Sequence, residues 1–143
     1  MIGYFDSSAL VKLVVEEAGS DEAAALWDGA DVVLSSRVAH AEVRAALAAA
    51  RRAGWLNHRQ LADAKDLWAV MWNALRLVEV SVEVSVDLGQ LSGDLAEEHA
   101  LSGLDAIHLA LLLPADDLTI ATWDSRLHAA AHRMALATLP AKL

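Results

Sequence analysis

Four acids are the residues of this chain that could do chemistry together: Asp6, Glu42, Asp105 and Asp124. Asp6 directly follows Ile2-Gly3-Tyr4-Phe5, an apolar run too short for a helix and suited to a buried parallel strand. Ser7 and Ser8 can then cap a helix whose apolar positions Ala9, Leu10, Leu13 and Val14 recur at helical spacing. That puts a carboxylate at the carboxyl end of a strand, where open α/β sheets bind ligands. A plain turn or capping role is the alternative. Asp124 repeats the pattern of strand, acid and helix, and Trp123-Asp124-Ser125 echoes Phe5-Asp6-Ser7. Thr122 stands two residues before Asp124, so strand alternation would put both side chains on one side. Here too an N-cap role is the plainer reading.

Glu42 lies in an alanine-rich helical stretch. At about 100° per residue it shares a face with Val38, Ala39, Ala46, Ala49 and Ala53, opposite Arg37, Arg44 and Arg51. It is therefore expected to point toward the core or a crevice in it, where a charged carboxylate is costly unless paired or metal-bound. A glutamate at the margin of a face, paired with an arginine, is the alternative. Asp105 interrupts an otherwise apolar helix, Leu104 to Leu113; acids are rarely buried there without a partner, although a first-turn acid also suits the helix dipole. His108, three residues on, shares its face and is read as a pairing partner or a satisfied core residue before it is read as a ligand. Carboxylates clustered without counterions repel each other, and a divalent cation removes that repulsion. All-oxygen ligands favour Mg²⁺ or Mn²⁺ over zinc, and such a site can activate water for in-line displacement at phosphorus.

The elements that must position these acids alternate. Strands are expected at residues 2–5, 32–35, 77–80 and 118–122, with a possible edge strand at 135–139. Helices are expected at about 7–17, 20–27, 37–53, from Asn57 through Leu75, from Ser85 to about His99, at 104–113 and after Asp124. Gly54 and Pro114 are helix terminators. Alternation of this kind predicts an α/β fold: a three-layer α/β/α sandwich around a central, mainly parallel sheet, as one domain over residues 1–143.

Composition narrows the function classes. Hydrophobic residues make up 56% of the 143 and there are two prolines, which argues against disorder. There is no apolar run long enough to cross a bilayer and no secretory leader pattern, so a cytoplasmic location is expected. The absence of cysteine removes disulfides, thiolate metal sites and cysteine nucleophiles. A net charge of −9 argues against a broad electrostatic footprint for DNA, but not against a nucleic acid met at a metal site. Arg37, Arg44 and Arg51 form a stripe at seven-residue spacing that could meet RNA phosphates or an acidic partner; a solvated face is the plainer reading. Trp68 and Trp72 read as core or, if exposed, as a protein interface. Neither a nucleophile elbow nor a phosphate-cradling glycine loop is present.

At Asp6-Ser7-Ser8-Ala9-Leu10-Val11-Lys12, Ala41-Glu42-Val43, Leu104-Asp105-Ala106-Ile107-His108-Leu109-Ala110 and Ala121-Thr122-Trp123-Asp124-Ser125-Arg126-Leu127 the sequence resembles the PIN-domain family, and within it the VapC toxins. The pieces come in the family's order and span nearly the whole chain. The resemblance implies four acids around Mg²⁺, with Mn²⁺ able to substitute, and Ser7 or Thr122 assisting. It implies hydrolysis of RNA to 5′-phosphate and 3′-hydroxyl ends, a homodimer, and inhibition by a cognate VapB-type antitoxin. Lys12 matches a frequent basic residue of the family and is assigned no chemical role.

On this reading Asp6 and Asp105 are the principal metal ligands and catalytic residues, with Glu42 and Asp124 completing the site directly or through water. A binding module that keeps the fold and acts by partner capture, with little turnover, is the alternative. Phosphoryl transfer through an aspartyl intermediate fits poorly. The haloacid-dehalogenase pattern wants an acid at position 8, which is Ser, and a response regulator wants a lysine after a late strand, whereas the lysines are Lys12, Lys65 and Lys142.

Overall fold

In a computed structural model, residues 1–78 and 86–143 are described. The strands are β1 (Ile2–Phe5), β2 (Val32–Ser36), β3 (Arg76–Val78), β4 (Leu118–Ala121) and β5 (Ala137–Leu139). The helices are α1 (Ser7–Val14), α2 (Ser20–Gly29), α3 (Ala39–Arg52), α4 (His58–Ala74), α5 (Val86–His99), α6 (Gly103–Leu112) and α7 (Ser125–Arg133). All pairings are parallel, in the order β3-β2-β1-β4-β5. The expected parallel α/β architecture is therefore what forms. The third strand covers Arg76–Val78; the rest of its expected span, and the Ser85 expected to begin α5, lie outside the described residues.

Chain connectivity explains the layers. From β1 the chain steps outward to β2 and β3, then returns across the sheet to β4 and β5 on the other side of β1. Right-handed crossovers running in opposite directions place their helices on opposite faces. One core lies under α1, α3 and α4, built on Phe5, Leu10, Val43, Leu47 and Trp68. The other lies under α5, α6 and α7, built on Tyr4, Leu109, Ile120 and Leu127. Tyr4 and Phe5 are neighbours on β1 and belong to different cores, as strand alternation requires. The reversal of direction occurs between β1 and β4, which makes the carboxyl ends of those two strands the switch point of the sheet.

Several helix ends differ from expectation for identifiable reasons. Asp6 itself caps α1, its carboxylate accepting the Ala9 N–H (2.9 Å), where Ser7 or Ser8 was expected. Helix α2 is preceded by Gly19 in a left-handed conformation (φ 91°) that serine would resist, and it makes no side-chain cap. At α4 the expected cap forms: Asn57 caps the helix, with Gln60 closing a reciprocal capping box. Trp68 is buried in the core and stacks on His40, while Trp72 is half-buried and packs tilted against both rings. Among the described residues no helix is long and apolar enough to cross a membrane.

Candidate active site

Tyr4 and Asp6 at the end of β1, Ser7 and Ser8 at the start of α1, Ser36, Ala39 and Glu42 from β2 and α3, Ser102, Leu104, Asp105 and His108 around α6, and Asp124 before α7 line one crevice of about 180 Å³. All four acids singled out by sequence are in it, and Ser7 with them. Thr122 is fully buried behind the crevice and touches it through Asp6.

Asp6 is the most tightly held. Oδ1 accepts from Ser8 Oγ (2.6 Å) and from the Ala9 N–H (2.9 Å), and Oδ2 accepts from Thr122 Oγ1. A carboxylate offers about four acceptor positions, so about one remains open. Burial pushes its pKa up from 3.8 to about 6; the hydrogen bonds from Ser8, Thr122 and Ala9 pull the other way, and the charge of Asp124 adds to the rise.

The end of β4 is knitted to Asp6. The Asp6 N–H donates to the Ala121 carbonyl (3.1 Å), continuing the ladder one residue past the strand. Thr122 Oγ1 accepts the Asp124 N–H (3.0 Å) while donating to Asp6, and the Trp123 N–H donates to Ser8 Oγ (2.7 Å). Asp124 caps α7: its Oδ1 accepts the N–H groups of Arg126 (2.8 Å) and Leu127 (3.0 Å). Capping and site membership were posed as alternatives for Asp6 and Asp124. The two are compatible: each acid caps its helix and also lines the crevice.

Asp105 sits in the first turn of α6. Ser102, the N-cap, accepts the Asp105 N–H (3.2 Å) and donates to Asp105 Oδ2 (2.6 Å), again leaving one oxygen free among the described residues. His108 is buried and turns Nε2 to Ser36 Oγ (2.7 Å), not to the Asp105 carboxylate. Burial lowers its pKa, against the charge of Asp105, and so favours the neutral ring.

For Glu42 the expected surroundings are corrected. The core face of α3 is Ala39, Val43 and Leu47, whereas Ala46, Ala49 and Ala53 on the glutamate's own side are exposed. Alanine is apolar enough to suggest burial and small enough not to require it. Glu42 is exposed, at the rim of the crevice, and has no hydrogen-bond or ion-pair partner among the described residues, so neither a buried charge nor an arginine bridge describes it. Arg37 and Arg44 on the opposite side are exposed, and Arg51 is half-buried beside His58 (2.8 Å).

Sequence reasoning missed the structural part of Ser8, Ser102 and Tyr4. Ser102 was legible in principle: serine three residues before an acid at a helix start is a capping signature. Tyr4 was readable as the strand residue two before Asp6, hence on the same side. Burial first, and then the charges of Asp6, Asp105 and Glu42, raise its pKa and keep the phenol protonated. Ser8 had no such signal, because its partner Trp123 is 115 residues away.

The donor set is hard: four carboxylates, their free oxygens and several hydroxyls around a small crevice, with no sulfur. That suits Mg²⁺ or Mn²⁺. Among the described residues, no three acids or histidines are drawn close enough to form a ligand sphere by themselves. The fold gathers the four acids to one crevice.

The sequence matches the PIN domain over residues 3–133. It is 51% identical over 142 residues to a protein named Ribonuclease VapC45 from Mycobacterium tuberculosis (strain CDC 1551 / Oshkosh), covering 98% of this chain and 96% of that one. Among solved structures, the fold resembles Mycobacterium tuberculosis VapC20, described as a sarcin-ricin loop cleaving toxin. The TM-score is 0.60 at 23% identity, over 90% of this chain and 94% of that one. It also resembles VapBC2 from Rickettsia felis bound to a DNA fragment from their promoter, with a TM-score of 0.59 at 12% identity over 96% and 97% of the two chains.

Proposed function

This chain belongs to the PIN-domain family, and on that footing we propose that it is a metal-dependent endoribonuclease, the toxin of a VapBC-type toxin–antitoxin pair, hydrolysing RNA phosphodiester bonds at its acidic crevice. The observation that carries the reading is the meeting of Asp6, Glu42, Asp105 and Asp124 at the switch point of the sheet, from four separate parts of the chain. A near-full-length relative named as a ribonuclease supports RNA as the substrate class. A VapB-type antitoxin as partner and a homodimeric state belong to the same reading.

Asp6 and Asp105 are the principal residues to hold Mg²⁺ or Mn²⁺, with Glu42 and Asp124 completing the set directly or through water. When bound, such an ion supplies a Lewis acid that lowers the pKa of an attacking water and offsets charge developing at phosphorus. The chain's own residues supply position. Ser8, Thr122 and the Ala9 N–H fix the plane of the Asp6 carboxylate. Ser102 orients Asp105, and the N-cap bonds of Asp124 aim its second oxygen. Held this way, Asp6, Asp105 and Asp124 would lose little freedom on binding a cation and substrate.

RNA cleavage measured with and without chelator, and with Asp6→Asn, tests the proposal. Loss of cleavage in chelator and in the variant, with recovery of the native chain on adding Mn²⁺, is expected. Cleavage unchanged by both perturbations would refute metal-dependent hydrolysis at this site. Tight partner capture without turnover at saturating Mn²⁺ would favour the binding-module alternative.

A further inference from the structure

Ser8 does something a helix serine need not do. It lies in the first turn of α1, where the cap is already supplied by Asp6 accepting the Ala9 N–H. A serine inside a helix ordinarily bonds back to a carbonyl of its own helix or faces water. This one donates to Asp6 Oδ1 (2.6 Å) and accepts the N–H of Trp123 (2.7 Å), the residue between Thr122 and Asp124. A single hydroxyl thus ties the first acid to the backbone that carries the last.

Trp123 is held from its side chain as well. Lys12 Nζ lies 4.8 Å from the centre of the indole and is tethered there by Glu17 Oε1 (2.8 Å) and the Ala18 carbonyl (2.8 Å). Gly19 packs so closely that an added Cβ would lie 2.7 Å from the ring. Lys12 sits on the same helix as Ser8, one turn on. The ring and the backbone N–H of Trp123 are therefore both fastened to α1.

We propose that Ser8 is a positioning residue for the acidic site, setting the separation and orientation of Asp6 and Asp124, and that Lys12 supports it by holding Trp123. The proposal rests on the metal-site reading above and concerns how the site is preorganised. Without the Ser8 hydroxyl, Asp6 keeps its other two donors but its plane is less constrained, and the Trp123 N–H has lost its partner. Groups that orient ligands in this way are worth about 10- to 100-fold in metal affinity.

The test is titration of the folded, metal-free chain with Mn²⁺ by calorimetry. Ser8→Ala is expected to weaken binding about 10- to 100-fold. Ser8→Thr, which keeps the hydroxyl, is expected to restore most of it, and Lys12→Met to weaken it by a smaller factor. A folded Ser8→Ala that binds within about twofold of the native chain would overturn the proposal, as would Ser8→Thr binding as poorly as Ser8→Ala. Should circular dichroism show Ser8→Ala unfolded, Lys12→Met decides, and native affinity in that variant refutes the arrangement. Failure of the native chain to bind Mn²⁺ strikes the metal-site reading itself, and so is distinguishable from failure of the Ser8 role.

Discussion

Replacing Asp6 by asparagine should make the metal-free protein more stable while strongly impairing cleavage. Burial raises the Asp6 pKa from 3.8 to about 6, so the folded chain holds this proton more tightly than the unfolded chain does. The Asp6 contribution to stability is therefore fully present below about pH 3.8 and is lost as pH rises through about 6. A gap of about two units at 1.36 kcal/mol each sets an upper bound of about 3 kcal/mol on the cost of the carboxylate at neutral pH. Asparagine keeps an oxygen to accept from Ser8 and Ala9. Its amide, though, faces Thr122 Oγ1, which must stop donating to residue 6. Rearranging one hydrogen bond costs about 1 kcal/mol. The net expectation is a gain of about 1–2 kcal/mol at pH 7.5, or about 3–6 °C in Tm for a chain of this length. Thermal unfolding in chelator across pH 4 to 8 reads it directly. The advantage of Asp6→Asn should vanish or reverse at the acid end, where the native carboxyl is protonated and only the rearrangement cost remains. An equal or lower Tm at pH 7.5, or a gain that ignores pH, would refute the reasoning. Cleavage of RNA by the same variant should fall by about 10²- to 10³-fold, the scale of losing a preorganised electrostatic group.

Other expectations follow from single contacts. Thr122→Val preserves shape but strips Asp6 of a donor and leaves the Asp124 N–H without its acceptor; a loss of about 1–3 kcal/mol is expected by denaturant unfolding. Asn57→Ala removes the capping box of α4, which takes no part in lining the crevice, and should lower stability by about 1 kcal/mol while cleavage by the folded protein is unchanged. Gly19→Ala meets both a left-handed backbone (φ 91°) and the Trp123 ring at 2.7 Å. A cost of about 1–3 kcal/mol is expected in thermal unfolding, against a gain of about 0.4–1 kcal/mol for an exposed helical glycine such as Gly89.

Much of this molecule is readable one residue at a time. The alternation of β-branched runs with helical stripes requires a parallel sheet covered on two faces, and the termini of those elements place Asp6 and Asp124 at strand ends. Asp105 stands out because an acid in Leu104–Leu113 has no apolar reason to be there. Glu42 was the weaker inference. The alanines on its side made it look buried, and only the packing of Ala39, Val43 and Leu47 against α1 and α4 decides which side of α3 is core.

What sequence alone determined are the properties that follow from local spacing and composition: element types, four acids set apart from the apolar pattern, and the exclusion of thiol chemistry. What only the tertiary structure decided are the partners. The pairing of Ser36 with His108 joins residues 72 apart, and the bond from Trp123 to Ser8, which in turn holds Asp6, joins residues 115 apart. Hydroxyls look alike in any sequence window, and a short hydrogen bond between distant segments has no periodicity to announce it. Strand order creates such contacts: placing β4 directly against β1 brings the two chain ends that carry Asp6 and Asp124 side by side.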